Sequence, residues 1–432
     1  MSARTTALAA LIACRKGGAW SDSILKEYIH RDRLDRRDAG LASRLCYGTQ
    51  QHQMLLDFYI ASFLKGKLSD LQPVVLDILR LAVYQLTQMD KIPSSAAVNE
   101  AVEQTKKYAN QRAAGLVNGL LRSMVRAEDN LPQPQDLATQ YSHPQALVDL
   151  LTQQVGDDQI EDLLKSHNDN PPITVQVNPL VEYPDLLEQW TESGAKFQLH
   201  PWLPDSYDLT ATGNVEHLPG FAEGAFAVQD GAAKLAVLAA GTLPGMQVLD
   251  TCAAPGGKSF AAAMVMKNQG NITSCDIHQH KMKLLEKGAE RLGITILTAQ
   301  VQDGSQLRPE WENAMDVVIA DVPCSGLGVI RKKPDIRYKD LTAIARLPQV
   351  QAKILDNVAS YVKPGGVLLY STCTIIQTEN RDIVDDFLEK HRDFSLECMD
   401  LPNGLVNDGA VTLLPHLHQT DGFFIAKLRR CL

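Results

Sequence analysis

From the amino terminus to about residue 128, apolar residues recur at intervals of three and four, and that spacing predicts a bundle of helices. The stripes are Leu41 and Leu45; Met54, Leu55, Phe58 and Tyr59; Val74 through Leu86 on one face; and Ala97, Val98, Ala101 and Val102. Gly66, Pro73 and Pro93 punctuate them, and Ser94 or Ser95 is placed to cap the helix that carries Asn99, Glu100 and Glu103. Val117-Asn118-Gly119-Leu120-Leu121-Arg122 closes the bundle, and 130–134 reads as a boundary. The pattern then changes. Helices over 144–155 and 159–167 precede Asn170-Pro171-Pro172, after which Ile173-Thr174-Val175-Gln176-Val177 alternates as a strand does. A short helix over 185–192 and a strand at 196–199 complete a small α/β unit.

From about residue 226, short apolar runs alternate with helical stretches. The runs are 248–249, 272–275, 294–297, 317–320 and 367–370; the helices include 281–292 and 341–361. Such alternation predicts a doubly wound, mostly parallel sheet of seven strands, Rossmann-like, with 423–428 as an antiparallel edge. The expected organisation is multidomain: an all-α bundle over 1–130, linker helices with a small α/β unit resembling an RNA-recognition fold over 131–225, and the larger α/β domain over 226–432.

Composition fits that picture. The chain has 432 residues, 45% hydrophobic and 22% charged, enough for two or three cored domains. A formal net charge of −9 excludes a uniformly basic nucleic-acid binder, so any such site is a local patch. No run has the length of a bilayer span. Leu11-Ile12-Ala13-Cys14 resembles a lipoprotein cleavage site, but the apolar run before it is short and Arg15-Lys16 follows at once, so 7–13 is read as the first helix. A cytoplasmic monomer is expected.

Eight scattered cysteines, with no close Cys-x-x-Cys pair, fit neither a disulfide framework nor a zinc site. Cys14, Cys46, Cys275, Cys398 and Cys431 are read as buried structural thiols. His278 with His280, and His416 with His418, are read as surface or loop residues, and no metal site is expected.

Three loops at strand ends carry candidate chemistry. Asp250-Thr251-Cys252-Ala253-Ala254-Pro255-Gly256-Gly257-Lys258 is a Gly-rich turn between a strand and a helix. Glycines admit a close ligand, and the helix start offers unpaired N–H groups. The order matches neither a dinucleotide fingerprint nor a phosphate-cradling loop. Asp276, Asp303 and Asp321 follow the next strands, where ligands of open parallel sheets bind. Asp276 suits a ribose, and Asp303 an adenine amino group. Cys324, in Asp321-Val322-Pro323-Cys324-Ser325-Gly326, and Cys373, in Tyr370-Ser371-Thr372-Cys373-Thr374, are thiols in strand-end loops. C5 of cytosine is a poor nucleophile until a thiolate adds to C6, and a carboxyl at N3 steadies that adduct. One cysteine must add and the second can assist release; spacing does not say which.

These loops resemble the motifs of RNA cytosine-C5 methyltransferases that use S-adenosylmethionine. Ala227-Val228-Gln229-Asp230, Gly328-Val329-Ile330-Arg331-Lys332-Lys333-Pro334-Asp335-Ile336 and Asp421-Gly422-Phe423-Phe424 look like further marks. The bundle looks like the NusB type of RNA-binding domain, and the combination resembles the RsmB family of bacterial 16S ribosomal RNA methyltransferases. The resemblance implies that Cys252, Ala253, Ala254, Pro255, Gly256, Gly257, Lys258, Asp276, Asp303 and Asp321 hold S-adenosylmethionine. It implies Cys373 as nucleophile, Cys324 in adduct release, Asp321 at cytosine N3, and 16S rRNA, naked or early in assembly, as partner. A transfer RNA substrate is the alternative within the class; a non-catalytic RNA-binding or transcription-elongation factor is the alternative outside it. Departures are Val322 for alanine, Thr374 for serine, and Gln50, Gln51, Asn170 and Gln176 where relatives carry hydrophobic or arginine residues. Arg331, Lys332, Lys333 and Arg337 are expected as a basic cluster just after the Cys324 loop.

Overall fold

A computed structural model describes residues 1–432 except 18–20, 211–212 and 406. The chain forms two compact units: Met1–Asp169 with Ile330–Lys339, and Asn170–Val329 with Asp340–Leu432.

The first unit is helical. Its principal helices are Ala3–Gly17, Ser21–Arg31, Arg36–Gln51, Gln53–Phe63, Pro73–Gln88, Ser94–Tyr108 and Gln111–Arg126, followed by Leu137–Tyr141, Gln145–Val155 and Ile160–Ser166. The expected stripes are its core: Leu45, Leu56, Ile78, Leu79, Val83 and Leu121 are buried together. One cap differs from expectation. Ser94 is the first helical residue, with Pro93 at the cap position and no side-chain cap bond. Proline fixes the entry φ and has no N–H to satisfy, so the serines are not needed there.

Ile330–Lys339 is an insertion from the second half of the sequence that completes the helical unit. Arg337, expected in an exposed basic cluster, is only 1% exposed. Its Nη1 donates to the carbonyls of Gln51 (2.6 Å) and Ser142 (3.1 Å) and to Asn168 Oδ1 (3.2 Å). Burial lowers its pKa to about 10, but the main-chain oxygens keep the cation solvated by protein. The planar fork meets several acceptors at once, which an ammonium does not. Gln51 sits in the same arrangement, its Nε2 donating to the His167 carbonyl at 3.2 Å. Arg337→Ala strands these buried acceptors. It is expected to destabilise the helical unit by about 3 kcal/mol, read as faster amide exchange in helix Arg36–Gln51.

The second unit holds two sheets. The strands are β1 (Ile173–Val177), β2 (Lys196–Leu199), β3 (Ser206–Thr210), β4 (Phe226–Val228), β5 (Gln247–Asp250), β6 (Asn271–Asp276), β7 (Leu297–Val301), β8 (Met315–Asp321), β9 (Val362–Thr372), β10 (Phe394–Leu396), β11 (Ala410–Leu413) and β12 (Phe423–Arg430). The first four form an antiparallel sheet ordered β2-β3-β1-β4. Gln176, read as a lost positive charge, is buried within it, at 2% exposure.

The larger sheet is mixed and, among the described residues, has eight strands rather than the expected seven: seven ordered β10-β12-β9-β8-β5-β6-β7, with the short β11 also pairing β12. From β7 to β9 all pairings are parallel; β12 runs antiparallel to β9, β10 and β11. Successive residues feed opposite faces. On one side lie Val317, Ile319, Leu369 and Ile425; on the other lie Val318, Ala320, Leu368, Tyr370 and Phe424. Both faces are covered, as parallel strands require.

Three details depart from the sequence reading. The run 294–297 is mostly not strand: helix Gln279–Arg291 ends with the Ile294 N–H bonded to the Ala289 carbonyl, and Ile294 tucks into the core. The strand β7 therefore starts at Leu297. The last strand is flanked on both sides rather than forming an edge, because β10 and β11 cover it. The long helix expected over 341–361 is two, Leu341–Ile344 and Leu347–Ala359, with Pro348 at the start of the second.

Candidate active site

Strand order reverses at β5: β6 and β7 lie on one side of it, β8 and β9 on the other. A crevice opens at the carboxyl ends of strands at such a switch point. The three sequence loops emerge there, since Asp250 ends β5, Asp321 ends β8, and Cys373 follows β9.

The Gly-rich turn is tightly tied. Ala253 N–H bonds the Cys275 carbonyl (2.7 Å), Gly256 N–H bonds that of Ala253 (2.7 Å), and helix Gly257–Val265 begins at once. Gly256 has φ +118, and a Cβ there would lie 2.3 Å from the Phe260 ring, so only glycine fits. Asp250 is fully buried and takes a 2.7 Å bond from the Ser259 hydroxyl. Burial pushes its carboxyl up to about 7. Burial likewise pushes the Cys252 thiol up to about 12, so this cysteine stays protonated.

Lys258 reaches from the helix to Asp321, Nζ to Oδ2 at 2.6 Å, and lies 4.9 Å from the Phe423 ring centroid. Burial works against its charge, but Asp321, Asp250 and Cys373 outweigh burial and hold its pKa above the usual lysine value. The other Asp321 oxygen accepts from Ser371 Oγ at 2.8 Å. Asp321 is thus held at both oxygens, its side chain still 29% exposed.

The two thiols meet. Cys324 Sγ and Cys373 Sγ are 3.2 Å apart. Their loops are sewn together: Val322 N–H to the Ser371 carbonyl (3.1 Å), Gly328 N–H to the Cys373 carbonyl (3.0 Å), and Ser325 Oγ to Thr374 Oγ1 (2.8 Å). The Cys324 thiol is pushed well above its ordinary pKa, first by its bond with Cys373, then by burial and by the charges of Glu379 and Asp321.

A third loop closes on these. Gly422 N–H bonds the Gly328 carbonyl at 2.8 Å, and a Cβ on Gly328 would stand 1.9 Å from the Gly422 oxygen. Two backbones touch there with no room for a side chain. Asp421 N–H also bonds Asp230 Oδ1 at 3.2 Å, joining two segments that the sequence marked separately. Gly328→Ala is expected to cost about 1–3 kcal/mol. By displacing the Cys324 loop it should also lower turnover about 100-fold. A thermal melt and a turnover assay check the two effects.

The acidic residues stand where the strand pattern put them. Asp276 ends β6 and takes bonds from the His278 N–H (3.0 Å) and Lys281 Nζ (3.1 Å). Asp303, just past β7, is held below its usual pKa by the Ser305 N–H and hydroxyl. Sequence reasoning gave no role to several neighbours. Ile277, apolar yet 58% exposed, follows Asp276. Gln229 places a buried, unpartnered Nε2 at 3.6 Å from where a Gly257 Cβ would be. Glu379 and Gln351 brace the Cys324 turn. An acidic residue six positions after Cys373, in an otherwise uncharged stretch, was the one available signal for Glu379. Of the remaining cysteines, Cys46 and Cys275 are buried as expected, but Cys398 and Cys431 are exposed. Both lie near the carboxyl terminus, outside the helices that cover the sheet.

Family models match three stretches: NusB family over 1–126, the RsmF/B-like ferredoxin-like domain over 143–216, and 16S rRNA methyltransferase RsmB/F over 240–429. The chain is 38% identical, over 99% of its length and 99% of that protein's, to the probable ribosomal RNA small subunit methyltransferase B of Bacillus subtilis. It is 33% identical, over the full length of both, to the probable protein of that name from Synechocystis. Among solved structures, PH0851 matches with a TM-score of 0.81 at 27% identity, covering 100% of this chain and 99% of that one. With its Gly-rich turn, paired thiols and end-to-end likeness to these relatives, the chain belongs to the ribosomal RNA small subunit methyltransferase B family.

Proposed function

We propose that this methyltransferase moves a methyl group from S-adenosylmethionine to C5 of a cytosine in 16S ribosomal RNA, through a covalent bond between Cys373 and C6 of the base. The observation that carries this reading is the 3.2 Å thiol pair beside the Lys258–Asp321 ion pair at the sheet's switch point.

The residues at the Gly-rich turn suit the proposed donor. Gln229 offers an orphaned amide at the turn, Asp276 is a carboxylate for ribose hydroxyls, Ile277 is an exposed apolar face for a purine, and Asp303 is an acceptor for its amino group. Cys252, Ala253, Ala254, Pro255, Gly256, Gly257 and Lys258 form the turn itself, and Asp321 borders it. When bound, S-adenosylmethionine supplies an electrophilic methyl on a sulfonium.

The protein's part is to make C5 nucleophilic. The Cys373 thiolate forms a bond to C6, and the C5–C6 π pair moves toward C5 and the ring. Lys258 favours that thiolate by its charge. Asp321 stands ready at N3, where a proton shared with the ring offsets the charge that builds up. After transfer, the C5 proton passes to water, its C–H electron pair re-forms the C5–C6 double bond, and the Cys373–C6 pair returns to sulfur as that bond breaks. Cys324 acts in this release. The NusB-type bundle is read as the RNA-binding partner of the catalytic domain, so the substrate is RNA, naked or early in assembly.

Bisulfite sequencing of total RNA from a deletion strain tests the assignment. One 16S position is expected to lose its protection and regain it with the intact gene. Loss at a transfer RNA position instead would move the substrate.

A further inference from the structure

Glu379 is fully buried against the Cys324 turn. Its Oε2 accepts from the Ser325 N–H (2.9 Å), the residue after Cys324, and from Gln351 Nε2 (2.9 Å). Its Oε1 is buried without a partner. Gln351 in turn donates to the Pro323 carbonyl at 3.0 Å, on the other side of Cys324. The Glu379 carbonyl takes the Tyr370 hydroxyl at 2.6 Å, so the residue is fixed from the main chain as well. Both sides of the Cys324 turn are therefore strapped to one carboxylate and its amide partner. Among the described residues, no lysine, arginine or histidine balances that carboxylate.

A buried carboxylate facing amide donors but no cation is costly, and its field is little screened. Two thiols in contact cannot both ionise, because like charges at that distance repel strongly. The pair therefore holds at most one negative charge, and its surroundings choose the sulfur. Cys373 lies near the Lys258 ammonium, whose charge it helps hold. Cys324 touches Cys373 and lies within the electrostatic reach of Glu379 and Asp321.

We propose that Glu379 is a positioning residue that fixes the Cys324 turn and, as an unbalanced carboxylate, confines the negative charge of the thiol pair to Cys373. The inference deepens the function proposed above, since it rests on the two cysteines being the reacting pair. The raised pKa of Cys324 agrees with it. Nothing in the turn's shape alone requires an acid: a glutamine oxygen accepts from the Ser325 N–H equally well.

The test is thiol titration of the full-length protein without RNA or donor, so that it stands or falls apart from the methylation reading. Iodoacetamide labelling of Cys324 is followed by peptide mass spectrometry against pH in a Cys373→Ala background, where the neighbouring thiol no longer contributes. The exposed Cys398 and Cys431 serve as references in the same digest. The Cys324 midpoint is expected above both references. Adding Glu379→Gln is expected to lower it by about one pH unit, a tenfold rise in labelling rate at fixed pH below the midpoint. Glu379→Asp, which keeps the charge, is expected to leave it high. An unchanged midpoint in Glu379→Gln overturns the proposal and leaves Glu379 a structural brace. Where Glu379→Gln does not fold, a Cys324 midpoint at or below the references in the Cys373→Ala protein overturns it as well.

Discussion

Cys373→Ala is expected to abolish methyl incorporation into RNA, by on the order of 10⁴-fold or more, while calorimetric binding of S-adenosylmethionine is retained. In the proposed reaction this thiol forms the bond to C6, and no neighbour replaces it. Cys324 sits only 3.2 Å away, but its turn is tied at Ser325 N–H and at the Pro323 carbonyl, and its thiol is pushed toward the protonated form. Lys258 and Asp321 hold each other whether or not a sulfur lies beside them, so the donor turn should not collapse. Radiolabelled methyl transfer to unmodified 16S RNA measures the loss. An active Cys373→Ala protein would remove the covalent route through Cys373.

Cys324→Ala should behave in the opposite sense: the protein still bonds RNA but does not let it go. A species running slower than free protein on a denaturing gel is expected, sensitive to nuclease and dependent on Cys373. Turnover should fall on the order of 10²–10⁴-fold, the range for loss of a group that handles a proton. The reasoning is geometric. One sulfur occupies C6, and the other, in contact with it, is the nearest polar group able to act while that bond breaks. If Cys373→Ala traps the adduct and Cys324→Ala is silent, the two sulfurs exchange roles, with the rest of the site unchanged.

Much of the site was legible because its chemistry lies in short runs. Asp250, Asp276 and Asp321 each end an apolar strand, and a short apolar run locates such ends to within a residue or two. Asp303 was placed correctly after the third strand even though that strand starts later than its apolar run implies. The Ile294 side chain that misled the reading serves a helix end, a role periodicity does not distinguish from a strand start. The parallel core was equally plain, since Val317 through Ala320 must be apolar on both faces. What escaped was whatever depends on distant pairing. β3, β10 and β11 are only three to five residues long, and they are strands because a neighbour supplies the ladder. Arg337 looked like surface charge because a buried arginine is recognised only by the carbonyls around it, and these come from residues 51, 142 and 168. Glu379 went unassigned for the same reason, since its partners, Ser325 and Gln351, lie far from it in sequence.

The excursion of the chain from Val329 to Asp340 bears on how the molecule can be dissected. A catalytic fragment starting at Asn170 would carry ten residues whose proper surroundings had been discarded, including a guanidinium evolved to be solvated by absent carbonyls. A bundle ending at Asp169 would keep an empty slot where that guanidinium belongs. Clean excision therefore needs two edits rather than one: a cut at the first boundary and a short bypass joining 329 to 340. Exchange of either half between related chains carries the same requirement, for the decapeptide must travel with the helices it completes.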